Sequence, residues 1–123
     1  MKIDQLNHVA IHVMDVDASC AFYENVLGLE QIPRPDFGFP GAWYALGPGQ
    51  ELHLISGRDE AVVGGTRSTH FAVRADSVAA AEVRLQEQGV AYTPPRQRPD
   101  GVTQIYIEDP DGHTIEFSFF NER

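Results

Sequence analysis

Three histidines and one glutamate recur at matched places in the two halves of this 123-residue chain. The run His8-Val9-Ala10-Ile11-His12-Val13 is repeated in pattern by His70-Phe71-Ala72-Val73-Arg74-Ala75, and Leu52-His53-Leu54 is repeated by Ile115-Glu116-Phe117. His8 therefore corresponds to His70, and His53 to Glu116. Three imidazoles and one carboxylate form a suitable ligand set for a divalent transition metal, with zinc, nickel, cobalt, manganese and iron as the candidates.

The elements that must position these residues follow from the repeat, which predicts two copies of one βαβββ unit. The first copy begins with a strand over 7–13 and a helix over 18–27, with Asp17 as its N-cap and Gly28 at its end. The second begins with a strand over 68–75 and a helix over 78–88, capped by Asp76 or Ser77 and ended by Gly89. The remaining predicted strands lie near 29–33, 42–46 and 51–55 in the first copy, and near 91–93, 103–108 and 114–119 in the second.

The expected fold class is α+β, with two tandem βαβββ modules forming a curved mixed sheet. We expect one domain over 1–123, with modules of about 5–57 and 68–120 joined by a linker over 58–67. Alternate side chains of a strand point to opposite faces, so strand parity indicates which residues share a surface. The apolar parity of each strand should cover its helix, which leaves the four candidate ligands together on the helix-free face: His8, His53, His70 and Glu116.

Further side chains share that face with the candidate ligands. Glu51 has the parity of His53, and we consider it as a general base, with an exposed surface carboxylate as the alternative. Glu116 is a candidate for catalysis as well as for metal ligation. The candidate pocket residues on this face are His12, Trp43, Arg74, Gln104 and Tyr106. The two aromatic side chains among them favour a ligand with an apolar or aromatic part, the alternative being a packing contact between subunits.

Composition limits the partners. Nine Lys and Arg against 18 Asp and Glu give a formal charge of −9, which argues against nucleic acid and anionic membranes as partners. No apolar run approaches the roughly 18 residues that a membrane span requires. A single Cys20 cannot close an intramolecular disulfide, and the first residues carry no signal sequence, so a cytoplasmic location is expected.

Several of these motifs together resemble the vicinal oxygen chelate superfamily, which includes glyoxalases, bleomycin-resistance proteins and extradiol dioxygenases. The resemblance rests on the repeated βαβββ pattern, Asn7-His8-Val9, the helix end Leu27-Gly28-Leu29 and the segment Asp109-Pro110-Asp111-Gly112-His113-Thr114-Ile115-Glu116. It implies two curved units that form a cup with the metal at its base. It also implies that the ligands lie on the first and last strands of each unit, which selects the same four positions as strand parity.

The resemblance implies a metal-dependent enzyme that chelates vicinal oxygens of a small-molecule substrate and stabilises an enediolate or oxyanion, as a lyase or isomerase. One alternative is an extradiol-type dioxygenase that uses two histidines and one glutamate, and the other is an antibiotic-sequestering protein of the bleomycin-resistance type. Superfamily members of this size generally dimerise. We therefore expect a homodimer, with His8 and His53 of one copy sharing each site with His70 and Glu116 of the other.

Overall fold

The computed structural model describes residues 1–63 and 69–120. The chain divides into two compact units, Met1–Glu60 and Ala61–Arg123. Part of the predicted linker, residues 64–67, and the first residue of the strand predicted over 68–75 lie outside the described residues. The single-domain assignment and its module boundaries stay predictions.

The first unit contains one helix and one four-stranded mixed sheet. Its elements are β1 (His8–His12), α1 (Val16–Asn25), β2 (Gln31–Ile32), β3 (Gly41–Gly47) and β4 (Gln50–Ile55). The strand order is β1-β4-β3-β2, in which β1 and β4 are parallel and the other pairs are antiparallel. The βαβββ order predicted for the first half of the chain is therefore confirmed.

The second unit repeats this arrangement. Its elements are β5 (Phe71–Ala75), α2 (Val78–Glu87), β6 (Arg96–Gln97), β7 (Thr103–Glu108) and β8 (Thr114–Phe119). The strand order is β5-β8-β7-β6, again with a parallel pair between the first and last strands of the unit. The predicted fold class, α+β with two tandem βαβββ modules, is confirmed.

One strand prediction was wrong. The strand expected near Ala91–Thr93 is absent there, where Tyr92 makes only an isolated bridge to Ile107. On the side of β7 away from β8, the paired strand is β6, which begins after Pro94 and Pro95. Because proline has no backbone N–H to donate to a ladder, the two prolines separate the isolated bridge from the paired strand.

The start of α1 also differs from its prediction. Asp15, and not Asp17, is the N-cap, and its side chain accepts a hydrogen bond from the backbone N–H of Ala18 at 3.1 Å. Asp17 lies in the first turn of the helix, where its negative charge faces the positive end of the helix dipole. In α2, the predicted cap Ser77 is confirmed, since its Oγ accepts from the N–H of Ala80.

The apolar side chains on one face of each sheet form the core of each unit. Leu52 and Leu54 of β4 are fully buried, as are Ile115 and Phe119 of β8. Every residue of β8 is buried, including those of the opposite parity. The residues of opposite parity include the buried carboxylate of Glu116, which belongs to the candidate site. Among the described residues, no helix is both long enough and apolar enough to cross a bilayer.

Candidate metal and substrate site

In the second unit, β8 places Glu116 next to His70, which immediately precedes β5. Because β5 and β8 are parallel with Ala72 opposite Glu116, the two side chains lie on the same face of the sheet. His70 Nε2 lies 3.1 Å from Glu116 Oε1. Glu116 is buried, whereas the His70 side chain is about one quarter exposed. This pair presents an imidazole nitrogen and a carboxylate oxygen together, as a metal ion requires.

Polar side chains hold the Glu116 carboxylate in its ionised form. Burial by itself would raise the pKa of Glu116, but hydrogen bonds from Ser118, Gln104 and Tyr106, together with the charge of His70, outweigh it, so the pKa lies below its ordinary value. Ser118 Oγ donates to Glu116 Oε2, on the opposite oxygen from His70. The carboxylate is therefore charged at neutral pH, as a metal ligand must be.

A pocket of about 530 Å³ adjoins this pair through Gln104 and Tyr106, while His70 and Glu116 themselves do not line it. Gln104 and Tyr106 of β7 line one side of the pocket, and both also hydrogen-bond to Glu116. Gln104 Nε2 donates to Tyr106 Oη at 3.3 Å, and the Tyr106 ring meets the His70 ring edge-on at 5.4 Å between centroids. The segment 93–99, which includes Arg96, forms the other side. A small molecule in this pocket would contact the same side chains that hold the carboxylate.

In the first unit, His53 of β4 lies between two other rings. The His8 ring stacks on one side of the His53 ring, at 4.1 Å between centroids, and the Trp43 ring stacks on it at 4.0 Å with an angle of only 4° between planes. Trp43 is directly opposite His53 in the β3–β4 pairing. The stack buries His53 almost completely, at 8% exposure.

The hydrogen bonds of these two histidines determine which ring nitrogens can bind a metal ion. His8 Nδ1 donates to Asn7 Oδ1 at 2.8 Å, which leaves Nε2 of His8 with its lone pair for a metal. His53 Nε2 lies 2.9 Å from Glu51 Oε1, and since an ionised carboxylate only accepts, this nitrogen carries the proton. Glu51 has to release His53 Nε2 before that nitrogen can bind a metal.

The residues therefore fit a divalent metal ion, because each unit presents part of a ligand set. The hydrogen bond to Asn7 gives His8 the tautomer that a ligand needs. His70 Nε2 lies 3.1 Å from the ionised Glu116 carboxylate and so carries a proton, which it has to release when the two side chains bind an ion together. His53 can bind the ion only when Glu51 moves.

Two predicted pocket residues lie at the margins of these groups. His12, at the end of β1, is exposed and donates from Nε2 to the backbone carbonyl of Ser56 at 3.1 Å. Arg74 of β5 pairs with Ser118 in register, and its guanidinium lies over the exposed ring of Phe120 at 4.3 Å. Trp43, Gln104 and Tyr106, by contrast, contact the candidate ligands of their own unit.

Ser118 and Asn7 are functional candidates that sequence reasoning missed. Ser118 has the parity of Glu116 two residues along the same strand, and Asn7 is next to His8, so both were adjacent to a selected residue. Their partners are defined by side-chain geometry, for which strand parity carries no signal.

A second group of acidic and histidine side chains, Asp109, Asp111 and His113, lies in the turn before β8. Their ligand atoms lie within 4.8 Å of one another. However, Asp109 Oδ1 accepts the backbone N–H groups of both Asp111 and His113, each at 2.9 Å. These bonds build the turn that leads into β8, and so this group positions Glu116.

The chain belongs to the glyoxalase/bleomycin resistance protein/dioxygenase superfamily, whose sequence pattern matches residues 5–117. It is 32% identical to Glyoxylase I 4 of Arabidopsis thaliana, over 94% of this chain and 71% of that protein. It is 31% identical to the lactoylglutathione lyase of Salmonella typhimurium, over 91% of this chain and 90% of that enzyme.

A solved structure shares this fold. A mutant of the fosfomycin resistance protein FosX from Listeria monocytogenes, complexed with Mn(II) and 1S,2S-dihydroxypropylphosphonic acid, superposes with a TM-score of 0.78 and 25% identity. The alignment covers 95% of this chain and 90% of that one. The vicinal oxygen chelate resemblance seen in the sequence motifs is thereby confirmed.

Proposed function

We propose that this protein is a metal-dependent, glyoxalase-like enzyme of the lyase or isomerase type, which chelates vicinal oxygens of a small-molecule substrate. The observation that carries the proposal is the His70–Glu116 pair, whose carboxylate is kept ionised beside a pocket. The identity to a protein named Glyoxylase I 4 and to a lactoylglutathione lyase supports the same reaction class.

In this proposal four side chains ligate the ion: His8, His53, His70 and Glu116. The enzyme acts as a cytoplasmic homodimer in which each ion is shared between His8 and His53 of one copy and His70 and Glu116 of the other. Sedimentation equilibrium at micromolar concentration tests the assembly, and a monomer that retains full metal content would refute the shared site.

A bound divalent ion would supply Lewis acidity toward two vicinal oxygens of the substrate. The side chains of this chain would do the remaining work. Tyr106 and Gln104 orient the substrate in the pocket, since both line it and both contact Glu116. Glu51, already within hydrogen-bond distance of an imidazole N–H and about one third exposed, accepts the substrate proton.

Elemental analysis of protein purified without chelator tests the metal site. We expect one ion per chain, and we expect His70→Ala and Glu116→Ala to remove it. His113→Ala is the matched control, because it removes an imidazole from the turn group and should leave the metal content unchanged. Wild-type protein with no metal and no thermal stabilisation by added divalent ions would refute the proposal and favour a sequestering protein.

Turnover of the hemithioacetal formed from methylglyoxal and a thiol tests the reaction class. We expect Glu51→Gln to lower kcat at unchanged metal content, because it removes the proton acceptor without removing a ligand. Glu30→Gln, an exposed carboxylate near β2, is the control and should turn over normally. A kcat equal to that of the wild type in Glu51→Gln would show that Glu51 does not accept the substrate proton.

The hydrogen bond between His53 and Glu51 supports a second candidate reaction. If Glu51 keeps His53 Nε2, the remaining ligands are His8, His70 and Glu116, a two-histidine, one-carboxylate set of the kind that binds iron in oxygenases. This set fits an extradiol-type ring-cleaving dioxygenase. Iron as the bound metal, together with oxygen uptake in the presence of a catechol, would establish this reaction in place of the lyase.

A further inference from the structure

The first unit carries an exposed aromatic patch, formed by Arg34, Phe37, Phe39 and Trp43. The Phe37 and Phe39 rings stack at 5.9 Å between centroids, and Phe37 lies 6.0 Å from the Trp43 ring. Phe37 is 52% exposed and Phe39 is 45% exposed. Two large apolar rings half open to water, side by side, form an unusual surface that suits a ligand.

The backbone of the segment before β3 holds the patch in place. Gly38 adopts φ of +81°, a conformation that L side chains rarely adopt, and reverses the chain between the two phenylalanines. The N–H of Gly38 donates to Asp36 Oδ1 at 2.8 Å, which closes the turn. Pro35 and Pro40 flank the turn and restrict its backbone. The two rings are therefore arranged before any ligand arrives.

The patch also contains a positive charge. The Arg34 guanidinium lies 5.0 Å from the centroid of the Phe37 ring and 4.9 Å from that of Phe39. Within residues 1–63 and 69–120, Arg34 makes no ion pair with a carboxylate, although the chain carries a net charge of −9. A guanidinium beside aromatic rings and without a counter-charge favours an anionic ligand group.

Gly41, at the start of β3, provides the space that Arg34 occupies. A Cβ at this position would lie 2.5 Å from the backbone oxygen of Leu54, 2.8 Å from Arg34 Nη2 and 2.9 Å from Arg34 Cζ, so a larger residue would crowd the strand and the guanidinium together. The guanidinium thus packs directly on the backbone of β3, and its position is determined by the strand as well as by the rings.

The patch continues into the ring stack of the candidate ligands. Trp43 contacts Phe37 and also stacks on His53, which in turn stacks on His8. A planar group bound on Phe37 and Phe39 is therefore one ring away from His53.

We propose that this aromatic patch binds the aromatic ring of a substrate that also carries an acidic group, with the ring on Phe37, Phe39 and Trp43 and the anion on Arg34. The inference deepens the proposed function, on which it rests for the substrate's reacting end. It names the substrate class as aromatic acids.

Trp43 is the single tryptophan of the chain, so its fluorescence reports binding at the patch directly. We would titrate EDTA-treated protein with 4-nitrobenzoate, whose nitroarene quenches tryptophan at short range. We expect saturable quenching that weakens roughly tenfold in the double variant Phe37→Leu/Phe39→Leu, since offset or edge-on ring pairs contribute beyond their buried area. Arg34→Gln should weaken 4-nitrobenzoate by a similar factor and leave the neutral 4-nitrobenzyl alcohol unchanged.

Two controls distinguish the patch from general hydrophobic binding. Phe120→Leu removes another exposed phenylalanine with an arginine over its ring and should leave the titration unchanged. Cyclohexanecarboxylate, a non-aromatic acid, should compete poorly with 4-nitrobenzoate. The inference would be overturned if cyclohexanecarboxylate competed as well as benzoate does. It would also be overturned if the quenching never saturated, or if the double variant bound 4-nitrobenzoate with unchanged affinity.

A second copy of the chain is the other possible occupant, and sedimentation of the double variant tests it. Dissociation of a wild-type dimer in Phe37→Leu/Phe39→Leu would assign the patch to a subunit interface and overturn the inference. Because the titration uses metal-free protein, its failure is separate from failure of the metal analysis. If the purified protein contains metal but 4-nitrobenzoate does not bind, the aromatic substrate class is refuted and the metal-dependent function stands. If 4-nitrobenzoate binds but the purified protein contains no metal, the metal-dependent function is refuted and the aromatic patch stands as a binding site.

Discussion

Ser118 donates a hydrogen bond to the Glu116 oxygen that faces away from His70, so that the two oxygens of one buried carboxylate have different partners. The two residues have the same parity in β8, and both are buried. A serine hydroxyl thus stabilises the charge that the candidate metal site requires.

Replacing Ser118 with alanine should raise the pKa of Glu116, because the hydrogen bond favours the ionised form and burial opposes it. Carboxyl ¹³C NMR titration measures this pKa directly. Ser118→Thr keeps a hydroxyl and should retain the lowered pKa. An unchanged pKa in Ser118→Ala would mean that Gln104, Tyr106 and His70 are sufficient without the serine.

Asn7→Ala should weaken metal binding by roughly 10- to 100-fold, since Asn7 fixes the tautomer and orientation of His8. Calorimetric titration of the metal-free protein with Zn²⁺ or Ni²⁺ gives the affinity. Asn25→Ala, at the exposed end of α1, is the control and should bind as the wild type does. Equal affinities for both variants would show that His8 is not held by Asn7 when it binds metal.

Asp15→Ala should lower the free energy of unfolding by about 1 kcal/mol, because it removes the side chain that caps α1. Asp17→Ala should lower it by only about 0.3 kcal/mol, since Asp17 acts through the helix dipole alone. Urea denaturation followed by circular dichroism gives both values. A larger loss of stability in Asp17→Ala than in Asp15→Ala would show that Asp17 is the cap.

Leu52→Ala should lower the free energy of unfolding by about 3 kcal/mol, because Leu52 is fully buried in the core of the first unit. Ile55→Ala, three residues later on the same strand, should lower it by under about 1 kcal/mol, because Ile55 is 36% exposed. Similar losses for the two variants, measured by denaturant unfolding, would contradict the assignment of the β4 core face.

Asp100 should titrate with a pKa of about 2, because its carboxylate accepts hydrogen bonds from the Arg98 guanidinium, with Nη2 and Oδ2 2.5 Å apart. A lowered folded-state pKa means that the pair contributes to stability above the ordinary Asp pKa of 3.8 and loses that contribution as the pH falls through about 2. NMR titration of the carboxyl checks the value, and Arg98→Gln should return it toward 3.8. Since Asp100 is exposed, a midpoint near 3.8 in the wild type would show that solvent disrupts the pair.

Strand parity was enough to predict which residues of one strand share a face, because alternation follows from the backbone alone. Leu52 and Leu54 are buried in the core, whereas Glu51 and His53 share the other face, as their spacing predicted. The cap of the first helix, by contrast, was predicted wrongly as Asp17. Asp15 is the cap, as its extended backbone and its hydrogen bond from the N–H of Ala18 show.

Contacts between strands could not be predicted in the same way. The stack of His8, His53 and Trp43 depends on the register of three strands, including an irregularity between Ala45 and Gly47. Parity in one strand carries no information on register in the next. The aromatic patch depends likewise on a turn at Gly38 that the sequence pattern did not single out.

The two shortest strands, β2 and β6, each end their sheet on one side, and each is only two residues long. Prolines stand directly beside both of them, at Pro33 after β2 and at Pro95 before β6. A strand from another molecule that approached these edges would find few backbone groups to pair with. These two edges should therefore resist the strand-by-strand growth that leads to aggregation.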